Sequence, residues 1–239
     1  MLPVPGFAIA TGVIAIAVVA LAHASQRNLT PDPDGGAWLG EDYFVGPREL
    51  YLNVIGTQLL VVGALLLVVW LSELPWTALG TAGGTGTVII GVGLGVILYL
   101  ANEASITLFD RFGIGYSEAL RGALAPSSIA GWAVLLLIVL PVIATAEELL
   151  FRAALIGGLE ASLGVSPWLL VLVSSVLFAV GHGIQGMGGI LVTGTLGIVL
   201  GVAYVLSGSL LLVVVAHYVI NALEFIVNEG IGRGREAPP

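Results

Sequence analysis

Apolar residues fall in long, nearly unbroken blocks along this chain, near residues 7–24, 52–72, 86–101, 128–163, 167–182, 188–206 and 209–228. A helix needs about 20 mostly apolar residues to cross a bilayer. The pattern therefore predicts an all-α fold, a polytopic transmembrane helix bundle of about seven spans. The fourth block is long and contains Pro141, so it reads either as a kinked span or as a surface helix leading into one. Between the blocks, residues 25–50 hold Pro31, Pro33, Gly35, Gly36 and several acids, which predicts a solvated, irregular loop. Residues 102–127 mix Ile106, Leu108, Phe109 and Ile114 with Asp110, Arg111 and Glu118, the pattern of a short amphipathic segment at the interface. Ala22-His23-Ala24 resembles a leader cleavage site, but no positive charge precedes the first block, which argues against a cleaved leader.

Composition agrees with the blocks. Of 239 residues, 58% are hydrophobic and 9% charged, against roughly 25% charged in soluble domains. The net charge of −8 gives no basic face for nucleic acid. The absence of cysteine excludes disulfides, thiolate metal sites and a cysteine nucleophile. All the positive side chains are arginines. With seven spans, Arg27, Arg48, Arg111, Arg121, Arg233 and Arg235 fall on one side of the membrane. The positive-inside rule makes that side cytoplasmic, with the N-terminus outside and the C-terminus inside.

A few polar residues interrupt the apolar blocks: Glu147, Glu148, Arg152, His182, His217, Asn221 and Glu224. A charge at the bilayer centre costs at least about 2.5–3.5 kcal/mol, so such residues either serve a site or lock helices together. All lie in the last four blocks, which favours one shared site. Glu148 and Arg152 are four apart and share a helix face. Glu147 points about 100° away and has no sequence-local partner. His182 follows Phe178 by one turn, and His217, Asn221 and Glu224 form a stripe. At 1.5 Å per residue, Glu147 and His182 lie roughly 22–24 Å from the outer ends of their helices, and His217 only about 12 Å.

One carboxylate, two imidazoles and an amide suit hydrolysis by an activated water. Glu147 and His182 would deprotonate it, and His217 and Asn221 would donate to the developing oxyanion. The same groups could instead hold zinc, with Glu147, His182 and His217 as ligands. No serine sits in a nucleophile elbow.

Glu147-Glu148-Leu149-Leu150-Phe151-Arg152 has the form EExxxR, Phe178 to His182 the form FxxxH, and His217 to Asn221 the form HxxxN. In this order, on membrane helices, they resemble the CPBP family of intramembrane proteases, which includes the type II CAAX prenyl endopeptidases and bacteriocin-processing or immunity proteins. The resemblance covers about 126–228. It implies that Glu147 and His182 activate water, that Glu148 and Arg152 support the site, and that His217 and Asn221 stabilise the oxyanion. Ala153 stands where the family often has glycine. Family members are described both as metalloproteases and as metal-free glutamate proteases. The absence of a strong zinc signature such as HExxH leans the reading to the second, with zinc still open.

The resemblance divides the chain into residues 1–125, helices and loops without motifs, and residues 126–239, a catalytic bundle with a C-terminal tail. The expected function is an intramembrane endopeptidase cutting a peptide or protein near the membrane surface. Its substrate would be hydrophobic or prenylated at the C-terminus, and membrane lipid would be its surroundings. The rival readings are a catalytically silent immunity or scaffold protein, and a proton-coupled transporter using Glu147 and His182. No inverted repeat supports the transporter.

Overall fold

The computed structural model describes residues 4–32, 35–40 and 42–231. Among the described residues it is a bundle of six long helices and one shorter one. Six are long and apolar enough to cross a membrane: α1 (Val4–Asn28), α2 (Pro47–Ser72), α3 (Thr85–Arg111), α5 (Ile129–Leu163), α7 (Gly186–Ser207) and α8 (Leu210–Gly230). The seventh, α6 (Pro167–Gly181), is apolar but has only 15 residues. A short α4 (Ala119–Leu124) lies between α3 and α5. The protein is an integral membrane protein.

Local chemistry sets the helix ends. Pro47 and Pro167 open α2 and α6, where a missing N–H costs nothing. Ser128 caps α5 by accepting from the Gly131 N–H at 3.1 Å. Gly208, at φ 61°, closes α7, and Ser209 immediately caps α8 by accepting from the Leu212 N–H. That pairing turns the chain back within two residues.

The outside of the bundle is apolar. Leu60, Trp70, Ile89, Leu137 and Val176 are well exposed, as expected where lipid is the solvent. The inward faces follow helical spacing. On α1 they are Phe7, Thr11 and Ala15, and on α3 Gly91, Gly95, Tyr99, Asn102 and Ile106. Small residues let helices approach closely. A Cβ on Gly95 would stand 2.7 Å from Ala216 O and from Val219 Cβ of α8. One on Gly197 would stand 3.1 Å from the Ser175 backbone of α6.

Contacts at the two ends fix the alternation of the helices. At one end Leu210 N donates to Gly80 O, Thr81 bridges Ser209, and Tyr204 reaches Ala78 O. At the other, Ser117 N donates to Gln185 O, Gly188 N to Gly115 O, and Arg121 pairs with Glu229. The loops after α1, α3 and α6 and the end of α8 therefore share one end. Arg48, Arg111 and Arg121 lie there; Arg233 and Arg235 fall outside the described residues.

Three expectations need correction. Residues 25–50 are not irregular. They contain an antiparallel sheet of β1 (Leu29–Pro31), β2 (Ala37–Leu39) and β3 (Tyr43–Val45), in that order, with Trp38 opposite Thr30 and Phe44. Alternation there is too short to show as a pattern, and aromatic contact between Trp38 and Phe44 at 5.2 Å holds the turn. Residues 102–111 are not a separate short segment. They continue α3, where Asn102 and Glu103 bond Glu224 and Asn228 of α8. The Pro141 region is neither sharply broken nor on the surface. α5 runs through it by widening to five-residue hydrogen-bond spacing at Leu135–Val139, just before the proline, and again at Leu149–Gly158. Wider turns make room where proline removes a bond and crowds the carbonyl of the preceding turn.

Candidate active site

The second widened stretch of α5 begins directly after Glu147 and Glu148 and contains Arg152. Glu148 and Arg152 are fully buried. Their ion pair measures 3.1 Å, Nη1 to Oε1. Arg152 also donates from Nη2 to the Gly197 carbonyl of α7 at 3.2 Å, and its guanidinium lies over the Phe178 ring of α6, 4.8 Å from the centroid. One cation thus ties α5 to α6 and α7, and its charge is met by a carboxylate, a carbonyl and a ring face.

The same Glu148 Oε1 accepts from His217 Nδ1 of α8 at 2.7 Å. A carboxylate only accepts, so this bond puts a proton on Nδ1 and leaves Nε2 on the opposite edge of the ring. That edge faces Glu147, whose Oε2 stands 3.7 Å from His217 Nε2. Two adjacent carboxylates therefore differ sharply. Glu148 has no exposed side-chain surface, while Glu147 keeps 18% and lines the cavity described below. The predicted mismatch in depth between His217 and the glutamates is absent, because the helices do not begin at a common level.

His182 closes α6. Its Nδ1 is 2.8 Å from the Phe178 carbonyl, and since a carbonyl only accepts, Nδ1 carries the proton here too. Its ring lies against Phe178 with centroids 4.5 Å apart, and Phe178 meets His217 edge-on at 6.0 Å. Phe178 is thus the spacer between the two imidazoles, with Phe151 supporting it at 5.1 Å.

Glu147, His182, His217 and Asn221 all line one cavity of about 640 Å³. The sequence-predicted residues are brought together, with Glu148 and Arg152 immediately behind. Two nearby residues play other parts. Ser175, on the His182 side of α6, bonds back to Val171 O and packs on Gly197. Glu224 bonds neither His217 nor Asn221; it accepts from Asn102 of α3. The sequence did not point to the Gly197 carbonyl as a partner of Arg152, nor to the cavity walls from α1, α2 and α3, among them Val18, Gln58 and Asn102. Those walls carry no motif. Asn102 next to Glu103 at the end of an apolar run was the one visible hint.

Zinc was one sequence reading. Among the described residues, no three His, Asp or Glu side chains gather closely enough to hold a metal ion. Glu147 and His217 face each other, with 3.7 Å between Glu147 Oε2 and His217 Nε2.

Comparison with known proteins adds an independent observation. Residues 129–223 match the family model described as type II CAAX prenyl endopeptidase Rce1-like. No curated protein and no solved structure matches the chain. The matched stretch begins at the first residue of α5 and ends two residues after Asn221, so it spans every side chain of the cluster. The stretch of this multispanning membrane protein that holds the cluster is therefore similar to the type II CAAX prenyl endopeptidase Rce1-like family.

Proposed function

We propose that this protein is an intramembrane endopeptidase in which Glu147 and His182 activate a water against a peptide carbonyl. The observation that carries the reading is the contrast between neighbouring glutamates: Glu148 is locked between Arg152 and His217, while Glu147 is turned to the cavity. Paired carboxylates in opposed environments divide their labour. Glu148 holds and orients; Glu147 is left to take a proton.

The steps follow from the donors and acceptors present. His182 donates from Nδ1 to Phe178 O, so its Nε2 can accept from the water. Glu147 takes the water's proton as the oxygen attacks, and returns it to the leaving amine. The oxyanion is met by the Asn221 amide and by His217, which donates from Nε2 once protonated, a state that the Glu148 carboxylate balances. Arg152, held by the Gly197 carbonyl and the Phe178 face, keeps Glu148 in place. No metal takes part in this scheme.

The largely apolar cavity suits a peptide that is hydrophobic or prenylated near its C-terminus. The end of the bundle bearing the arginines is assigned to the cytoplasm.

The test is cleavage of prenylated and unprenylated peptides by purified protein in detergent, beside folded Glu147→Ala and His182→Ala variants, with and without a chelator. Both variants are expected to lose activity by at least about 100-fold, with activity surviving the chelator. Cleavage that persists in both variants overturns the assignment, and loss in chelator restores a metal mechanism. A scaffold would cut nothing.

A further inference from the structure

The cavity does not end at the candidate catalytic group. It continues along α8 to Glu224, seven residues beyond His217, or about 10 Å at 1.5 Å per residue. Asn102, Tyr116 and Arg121 line the same end. Nothing in the scheme above uses them.

The charges there are unequal. Arg121 is engaged by Glu118 at 2.6 Å and by Glu229 at 2.9 Å. Burial opposes its charge, but these two carboxylates outweigh that and raise its pKa above the ordinary arginine range. Its positive charge is thus already used. Glu224 and Glu103 each take a hydrogen bond from a neutral amide, Asn102 and Asn228. Tyr116 is half-buried; desolvation, and then the charge of Glu224, hold its phenol pKa above the usual value against the nearby Arg121, so it remains a neutral group.

Asn102 supplies the second observation. It is 8% exposed, its Nδ2 donates to Glu224, and its Oδ1 has no partner among the described residues. A buried carbonyl oxygen without a donor is costly, and Asn102 is a residue of the cavity wall. Acceptors predominate here, and no trio suited to a metal ion exists among the described residues. The complementary group is an organic donor bearing positive charge.

We propose that Asn102 and Glu224 form a subsite for a cationic side chain, lysine or arginine, of the substrate peptide. This rests on the peptidase reading. An extended peptide rises about 3.3 Å per residue, so the cation would sit about three residues from the scissile bond. Glu224 gives the charge, the Asn102 carbonyl a neutral acceptor, and the apolar walls the stem contacts that lysine and arginine favour.

The experiment compares peptides identical except for lysine, arginine, norleucine or glutamate at each position within four of the cut. Cleavage and fluorescence-anisotropy binding are both read, in the parent protein, Glu224→Gln, Asn102→Leu and Asn228→Ala. At one position the parent is expected to favour lysine over norleucine about tenfold in kcat/KM. Glu224→Gln and Asn102→Leu should shrink that ratio to near one. Asn228→Ala removes a comparable α3–α8 bond outside the cavity lining and should keep the ratio. A parent that cuts all the peptides equally overturns the subsite even if the variants fail to fold, as does a ratio unchanged in Glu224→Gln or one lost equally in Asn228→Ala. Cation-selective binding without cleavage would uphold the subsite and overturn the peptidase reading instead.

Discussion

Glu148 is a fully buried carboxylate with one arginine and one histidine on a single oxygen. Removing its charge strands Arg152, so Glu148→Gln is expected to destabilise the protein by about 3–5 kcal/mol and to abolish cleavage, which thermal unfolding in detergent and a peptide assay would show. Replacing both partners, Glu148→Leu with Arg152→Met, removes the stranded charge. That double variant should recover much of the stability while remaining inactive, since His217 loses its anchor. Glu147→Gln should behave in the opposite way, with stability near that of the parent and activity lost. These residues were legible because charges inside apolar blocks are few and their spacing of four is a helix repeat. Their partners were harder to foresee. The Gly197 carbonyl and the Phe178 face are found only once α5, α6 and α7 meet, and backbone atoms leave no mark in a residue pattern.

Helices were legible as blocks of apolar residues, and their ends by proline, glycine and serine. Which faces touch was not. An all-apolar helix has no stripe to betray its inner side, so the close approach of α3 to α8 had to come from geometry. Gly91 and Gly95 face α8, while Gly93 faces open space. Gly95→Val is therefore expected to cost about 1–3 kcal/mol through overpacking and to lower activity by displacing the helix that carries His217 and Asn221. Gly93→Val should do neither; unfolding and cleavage measured side by side decide it. The widened turns of α5 were also hidden. Pro141 signalled a disturbance, but whether a chain breaks or expands its hydrogen bonding depends on the neighbours packed against it.

Over the whole molecule, loops on alternate sides obey the span count read from the blocks. Because the chain has no cysteine, a single introduced one reports its own side without background. Thr81→Cys and Ser117→Cys are expected to label from opposite sides of sealed vesicles, with Ser117→Cys cytoplasmic. Labelling from the same side would overturn the alternation of α3. The sheet between α1 and α2 escaped the sequence because strands of three residues are too short for a period of two to stand out from a loop rich in proline, glycine and acids.

The close seat of α8 on the glycines of α3 bears on how the protein can be handled. A fragment trimmed to the matched residues 129–223 would keep every proposed catalytic side chain, yet it would lose three walls of the chamber in which they stand. Detergent or lipid tails would fill the opening, and the shape that selects a peptide would be gone. Two polypeptides covering the first three long helices and the last four, produced together, ought to find each other again, since small residues and matching ridges are what hold that seam.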